Sequence, residues 1–149
     1  MNKIFIFLSM FLMLCGCNSI YVKPGTMEPE SKVFATRGGY SMRRSIKQKL
    51  EDRGFGVTVG KATYIDDGEH FSSERANVPA DVKYVVRVIE RSEWIAPWCV
   101  FNGFWWWNFN VSIADQKTGE EIMTWRGRGC AKSSMRKLDR VLDKLVTSN

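Results

Sequence analysis

The stretch FWWWNFNVSIADQKTGEEIMTWRGRG, residues 104–129, sets the organisation of the predicted sheet, because apolar and polar residues alternate through its first half. The residues of one parity are large and apolar: Trp105, Trp107, Phe109, Val111 and Ile113. Those of the other parity are mostly polar: Trp106, Asn108, Asn110 and Ser112. A repeat of two residues is typical of a strand that is buried on one face only. Most of the tryptophan run is therefore predicted to be core.

The remaining elements are placed around this strand. Lys117-Thr118-Gly119 predicts a tight turn, after which residues 121–127 return as a partner strand. Three other segments show the short apolar patterns of strands: residues 32–36, 55–61 and 81–90. Two segments place apolar side chains at helical spacing: residues 41–53 and 132–146. The predicted fold class is α+β, with an antiparallel or mixed sheet of four to five strands and two helices packed on one face.

The first seventeen residues, MNKIFIFLSMFLMLCGC, have the features of a targeting signal. Lys3 precedes an apolar run at residues 4–14, which is shorter than the roughly 20 residues that span a bilayer. The run ends in Leu14-Cys15-Gly16-Cys17, which resembles the bacterial lipobox. The resemblance implies that Cys17 receives a diacylglyceryl group, that cleavage follows Gly16, and that the new amino terminus is acylated. An ordinary secretory signal with an unrelated cysteine is the alternative.

The residue after the lipidation site is Asn18 rather than aspartate, which resembles the sorting pattern of outer-membrane lipoproteins. The resemblance implies a location in the inner leaflet of the outer membrane, facing the periplasm. The predicted organisation is a signal peptide at 1–16, a lipidated N-terminus with a flexible tether at 17–31, and a single periplasmic α+β domain at 32–149. The signal contains one of the 22 basic residues and none of the 16 acidic residues, so the mature chain stays basic.

Two cysteines remain in the predicted domain, Cys99 and Cys130, because Cys15 leaves with the signal and Cys17 is lipidated. In an oxidising periplasm this pair predicts one disulfide. Two buried free thiols are the alternative. Neither a CxxC spacing nor a nearby histidine accompanies the pair, which argues against a metal site.

The connection at residues 91–104, RSEWIAPWCVFNGF, is too apolar for a plain solvent-exposed loop. Its aromatic residues, the tryptophan on the polar strand face and two nearby arginines form the candidate binding surface: Trp94, Trp98, Phe101, Phe104, Trp106, Arg126 and Arg128. The aromatic side chains either pack over the edge of the sheet or form an exposed patch that contacts a partner or a membrane. The sequence leaves both interpretations open.

A search for catalytic chemistry finds no GxSxG, HExxH, P-loop or strand-linked GxGxxG pattern. The polar segment at 64–80 is predicted to be a long loop, and it holds the single histidine, His70, near Asp66, Asp67 and Glu69. A metal site and a solvated acidic loop both fit these residues, and their spacing favours the loop. We therefore predict a non-enzymatic protein without catalytic residues, metal or cofactor, and a small hydrolase remains the minor alternative.

Two segments, SIKQKLEDRGFGVTV and FNVSIADQKTGEEIMTWRGRG, are similar to recurring segments of small bacterial envelope lipoproteins. The second segment carries the shared pattern on these residues: Val111, Ile113, Asp115, Thr118, Gly119, Trp125 and Gly127. Domains of this kind serve as accessory subunits of export, secretion and lipopolysaccharide machines. The resemblance therefore implies an accessory role and an α+β architecture, and it leaves the pathway unassigned.

The favoured function is that of an outer-membrane-anchored, non-enzymatic accessory subunit that binds an envelope protein through the aromatic surface. The alternative is a lipoprotein that binds anionic lipid or lipopolysaccharide, with the aromatic side chains meeting acyl chains and the arginines meeting phosphates. Nucleic acid is not expected as a partner, because the predicted location is periplasmic. The basic side chains on the two predicted helices fit solvated faces equally well.

Overall fold

The computed structural model describes residues 18–36, 42–60, 62–65, 73–76 and 78–146. The elements in these ranges are, in chain order, β1 (Ser19–Val22), β2 (Lys32–Thr36), α1 (Met42–Glu51), β3 (Gly56–Gly60), β4 (Ala62–Ile65), β5 (Ser73–Ala76), β6 (Tyr84–Ile95), a 3-10 helix (Pro97–Asn102), β7 (Trp105–Asp115), β8 (Glu121–Cys130) and α2 (Ala131–Val146). The predicted signal peptide and its lipidation site, Cys17, lie outside the described residues.

Six of the strands form one mixed sheet in the order β1-β8-β7-β6-β2-β3. β2 runs parallel to both of its neighbours, and the other neighbouring strands are antiparallel. β4 and β5 form a separate antiparallel ribbon. The α+β class and the mixed sheet are therefore confirmed, whereas the predicted count of four to five strands is too low.

The core lies between one face of the sheet and the two helices. Trp107, Phe109, Val111 and Ile113 of β7 are buried, as the alternation predicts. The helices contribute buried stripes to the same cluster: Ile46 and Leu50 from α1, and Leu138, Leu142 and Leu145 from α2. Burial of each large apolar side chain contributes roughly 1.5–3 kcal/mol, so this face supplies most of the favourable free energy of folding.

The segment predicted to be a flexible tether is partly ordered, and the prediction is wrong there. Ser19 pairs with Arg126, so β1 joins the sheet as an edge strand beside β8. Met27 is buried, and its N–H donates to the Leu145 carbonyl at 3.2 Å, so the chain is held across the end of α2. The strand was missed because four residues followed closely by proline and glycine carry too little pattern to stand out.

The polar segment at 64–80 is predicted to be a loop, and this is wrong for residues 64–65 and 73–76. Ala62 pairs with Ala76, and Ile65 pairs with Ser73, in the β4–β5 ribbon. The residues considered for a metal site, Asp66, Asp67, Glu69 and His70, lie outside the described residues.

Candidate functional site

One end of the six-stranded sheet carries most of the exposed apolar surface. β6 ends there, the 3-10 helix leads into β7, and β8 passes into α2. Six of the nine large apolar side chains that are exposed in the described chain lie at this end, and we call them the aromatic end: Ile95, Trp98, Val100, Phe101, Phe104 and Trp105. Phe101 is 91% exposed and Trp98 is 57% exposed. Apolar surface concentrated in this way marks a contact with a partner or a membrane.

A disulfide holds the aromatic end to the sheet. Cys99 and Cys130 are bonded, with their Cα atoms 5.5 Å apart, which confirms the predicted pair. The Phe104 N–H donates to the Cys99 carbonyl at 2.9 Å, and the Ala96 N–H donates to the Phe104 carbonyl at 2.8 Å. Ala96 and Cys99 are fully buried. Ala96 and Cys99 therefore point inward, and the backbone hydrogen bonds hold the segment so that its aromatic side chains are exposed to solvent.

Two consecutive residues with positive φ complete the closure. Gly103 has a φ of 94° and Phe104 has a φ of 64°. The left-handed region costs an aromatic residue on the order of 1–3 kcal/mol, whereas glycine adopts it freely. Phe104 nevertheless remains 53% exposed, so its burial recovers only part of that cost. A strained and exposed aromatic residue points to a role for its side chain in binding.

The structure brings most of the predicted aromatic surface together. Trp98, Phe101 and Phe104 are exposed, whereas Trp106 is half-buried and meets Trp98 edge to face, with ring centres 6.2 Å apart. The backbone of Trp94 pairs with that of Trp106, and the side chain of Trp94 lies outside the described part of the chain. Three of its aromatic side chains, Trp98, Phe101 and Phe104, are therefore exposed rather than packed over the sheet edge.

Sequence reasoning missed three members of the aromatic end: Trp105, Ile95 and Val100. It assigned Trp105 to the core by parity, which is wrong because this side chain is 45% exposed, against 5% for Trp107. Trp105 is the first residue of β7, and burial on this face of the strand begins only at Trp107. The apolar connection that precedes Trp105 was the sequence feature that could have identified it as exposed. Parity predicts which face of a strand a residue lies on, but not where along the strand burial of that face ends.

The face of the sheet opposite the helices carries exposed arginines. Register places Arg91, Asn108 and Arg128 in one cross-strand row near the aromatic end. Arg126 precedes Arg128 by two residues in β8, and Arg87 precedes Arg91 by four residues in β6. In the described chain none of these four arginines forms an ion pair. The predicted pair Arg126 and Arg128 thus belongs to a larger basic face.

Two further cations lie beside the aromatic end on the helix side. The side chain of Lys132 is close to Gly103, where an added Cβ would meet its Cγ at 3.7 Å. Arg136 donates from Nη2 to Asn102 Oδ1 at 3.2 Å. Four cations thus lie close to the aromatic end on its two sides, and we call them the cation collar: Arg91, Arg128, Lys132 and Arg136.

A groove of about 510 Å³ lies on the flank of the molecule, between the edge strand β1 and α2. Its walls combine apolar side chains, Ile20, Val22, Pro24 and Val141, with three cations, Lys137, Arg140 and Lys144. An apolar floor beneath a basic rim suits an extended apolar segment that carries acidic groups.

The opposite end of the sheet, where β7 turns into β8, carries paired charges, and we call it the turn end. Asp115 Oδ1 accepts the N–H groups of Thr118 at 2.9 Å and Lys117 at 2.8 Å, and these bonds hold its pKa below the usual range. The hydrogen bond from Lys32 lowers the pKa of Asp81 in the same way. Two more lysines at this end also have partners: Lys23 with Glu120, and Lys83 with Glu28.

Neither a metal centre nor a spanning helix emerges from the described ranges. No three potential ligand side chains come together there. None of the helices in those ranges has both the length and the apolar character needed to cross a bilayer.

These features define an α+β domain with helices on one face of a mixed sheet and a disulfide-held aromatic surface at one end. No protein-family model and no curated protein matches the chain. Among solved structures it is similar to a subunit of the PelC dodecamer from Paraburkholderia phytofirmans and to a single-substitution variant of that protein. Each comparison gives a TM-score of 0.55 and 11% identity, covering 90% of this chain and 99% of the other. At this identity the likeness establishes a shared fold and nothing about activity.

Proposed function

We propose that this chain is a lipoprotein of the bacterial cell envelope, anchored through Cys17 in the inner leaflet of the outer membrane and facing the periplasm. In this proposal it is a non-enzymatic accessory subunit whose aromatic end rests on the bilayer. The aromatic surface, which the sequence assigned first to a protein partner, is thereby assigned to the membrane, and the flank of the domain is left for the partner.

The position of the first described residue carries this proposal. Asn18 lies beside β8, so close to Gly127 that a Cβ on this glycine would lie 1.8 Å from Asn18 Oδ1. Gly127 precedes Cys130 of the disulfide by three residues, which is about 10 Å along a strand. Cys17 is covalently joined to Asn18, with about 3.8 Å between their Cα atoms. A lipid on Cys17 would therefore begin at the same end of the molecule as the exposed aromatic side chains.

The anchor and the aromatic contact reinforce each other. Several acyl chains hold a protein to a membrane much more firmly than one chain does. Tryptophan also favours the boundary between headgroups and acyl chains, because its ring is apolar and its N–H is polar. Once the anchor holds the domain at the surface, the aromatic contact is intramolecular and needs little affinity of its own.

The docking is tested with the mature lipidated protein in phosphatidylcholine vesicles that contain brominated lipid, which quenches nearby tryptophan emission. We expect strong quenching in the wild type and a clear loss of it in Trp98→Phe/Trp105→Phe, which removes two exposed indoles. Trp107→Phe, which removes a buried indole, is the matched control and should retain the quenching. Emission that brominated lipid leaves unchanged would rule out a docked aromatic end.

The accessory role is tested by a crosslinking pull-down from cells. Trp98→Ala/Trp106→Ala should capture the same partner as the wild type, because the aromatic end faces lipid. Lys137→Glu/Lys144→Glu, which reverses two charges at the groove, should lose that partner. All variants must first show normal folding and abundance. The opposite pattern, with the partner lost only in the aromatic variant, would return this surface to a protein interface.

A second copy of the chain is one candidate for the partner. The two outermost strands of the sheet, β1 and β3, each have a single neighbour among the described strands. Unpaired strand edges can join copies of a protein, and the similar fold of a PelC dodecamer subunit makes self-association worth testing. Sedimentation of the detergent-solubilised protein decides it: one species of several copies supports assembly, and a monomer at micromolar concentration excludes it.

A further inference from the structure

We infer that the cation collar binds the phosphate groups of anionic phospholipids, so that the aromatic end recognises an acidic membrane surface in addition to its apolar interior. This inference rests on the proposed function, because it requires the aromatic end to face the bilayer. It assigns anionic lipid, the ligand class that the sequence left as an alternative, to four residues outside the aromatic set: Arg91, Arg128, Lys132 and Arg136.

The collar has members on both faces of the sheet close to the aromatic end. On the sheet side, Arg91 and Arg128 flank Asn108, which is two residues, about 7 Å, from Trp106 along β7. On the helix side, the side chain of Lys132 lies beside Gly103, and Arg136 donates a hydrogen bond to Asn102. The headgroup layer on each side of a bilayer is about 5–8 Å thick. Aromatic rings at the acyl boundary would therefore place the four cations at the level of the phosphates.

The collar also has charge to offer. In the described chain no acidic side chain forms an ion pair with any of its four members. Three lysines of the turn end, Lys23, Lys32 and Lys83, by contrast already have carboxylate partners at 2.5–2.6 Å. A cation near an anionic membrane gains from the surface potential within about 10 Å, the Debye length at 0.1 M salt. The collar satisfies this distance and the turn end, at the far end of β7, does not.

The occupant is a lipid surface rather than a free phosphate ion. The cations belong to three elements, β6, β8 and α2, and lie on both sides of exposed aromatic side chains. A bilayer offers many phosphates in one plane together with an apolar layer beneath, which matches cations placed around an apolar centre. The predicted lipid anchor keeps such a surface within reach at all times.

The test compares charge variants of the mature lipidated protein in zwitterionic vesicles and in vesicles with about one third phosphatidylglycerol. Quenching by brominated lipid reports the fraction of docked protein. Arg91→Gln/Arg128→Gln removes two collar charges. The matched control, Arg87→Gln/Lys117→Gln, also removes two charges: Arg87 lies in β6 outside the collar, and Lys117 lies at the turn end. These exposed substitutions should leave thermal unfolding nearly unchanged, which is verified first.

We expect anionic lipid to increase docking of the wild type and of the control variant, and about 0.5 M salt to remove the increase. A cation near such a surface contributes about fivefold, so the collar variant should lose about 30-fold in the docking equilibrium on anionic vesicles. Its docking on zwitterionic vesicles should equal that of the wild type. Equal docking on both lipids, or an equal loss in the control variant, overturns this inference and leaves the proposed function standing. Absence of quenching on every vesicle overturns both.

Discussion

The aromatic end and the turn end lie at opposite ends of the same sheet and differ in surface composition. At the turn end Lys23 pairs with Glu120 at 2.6 Å and Lys83 pairs with Glu28 at 2.5 Å, so several charges of this surface are already paired. At the aromatic end the cations lack such partners in the described chain, and Phe101 is almost fully exposed. The turn end has the composition of an ordinary solvent-exposed surface. The aromatic end has the composition of a surface that contacts a partner or a membrane.

Adjacent tryptophans provide the largest effect with which to test this comparison. Trp107→Ala should lower the free energy of unfolding by about 3–5 kcal/mol, because the side chain is buried among core residues. Trp105→Ala, two positions earlier and on the same parity, should lower it by less than about 1 kcal/mol. Urea unfolding followed by circular dichroism measures both. Equal losses would show that Trp105 belongs to the core and that the aromatic end is smaller than described.

The disulfide gives the next largest effect, because it cross-links the 3-10 helix to the end of β8. The loop between Cys99 and Cys130 spans 31 positions, for which removal costs about 3–4 kcal/mol. Cys99→Ser/Cys130→Ser should therefore unfold at a lower temperature and become sensitive to limited proteolysis near residues 97–104. The turn end, held by hydrogen bonds instead, should keep its protection in hydrogen exchange. Loss of protection at both ends together would mean that the disulfide stabilises the whole domain and not one end.

Much of the fold was accessible from the sequence where a strong local pattern existed. The alternation through β7 was long enough to identify a half-buried strand, and only two cysteines remained to pair as Cys99 and Cys130. β1 was not predicted because its four residues form a strand only by pairing with β8, which lies about 100 residues away in the sequence. Local patterns do not encode contacts of that kind.

The candidate site was predictable in membership and not in exposure. The sequence grouped Trp98, Phe101 and Phe104, but core and patch remained equal alternatives because both require the same residue types. What decides between them is where the helices end over the sheet, a three-dimensional fact. The collar was scattered over three elements, so Arg91 and Arg128 became neighbours of one asparagine only through the register of β6, β7 and β8.

A smaller effect separates the two ends at their left-handed residues. The turn end uses Gly119, with a φ of 72°, whereas the aromatic end uses Phe104, with a φ of 64°. Gly119→Ala should cost about 1–2 kcal/mol, because it adds strain with no atom nearby to pack against. Phe104→Asn should change stability by less than about 1 kcal/mol, since relief of strain offsets the burial that is lost. The same variant should dock less well on vesicles; unchanged docking would show that Phe104 has no part in binding.

The smallest effect is a pH dependence confined to the turn end. Hydrogen bonds from the Thr118 and Lys117 N–H groups lower the pKa of Asp115, and the bond from Lys32 lowers that of Asp81. A carboxyl whose pKa is lowered on folding stabilises the protein above its unfolded pKa, about 3.9, and this contribution disappears as the pH falls through the folded value. The melting temperature of the wild type should therefore fall more than that of Asp115→Asn between pH 6 and pH 2.5. The quenching that reports docking should show no matching change down to pH 5, because the collar contains no carboxylate. A docking midpoint near pH 4 would place a carboxylate at the aromatic end and remove the contrast between the two ends.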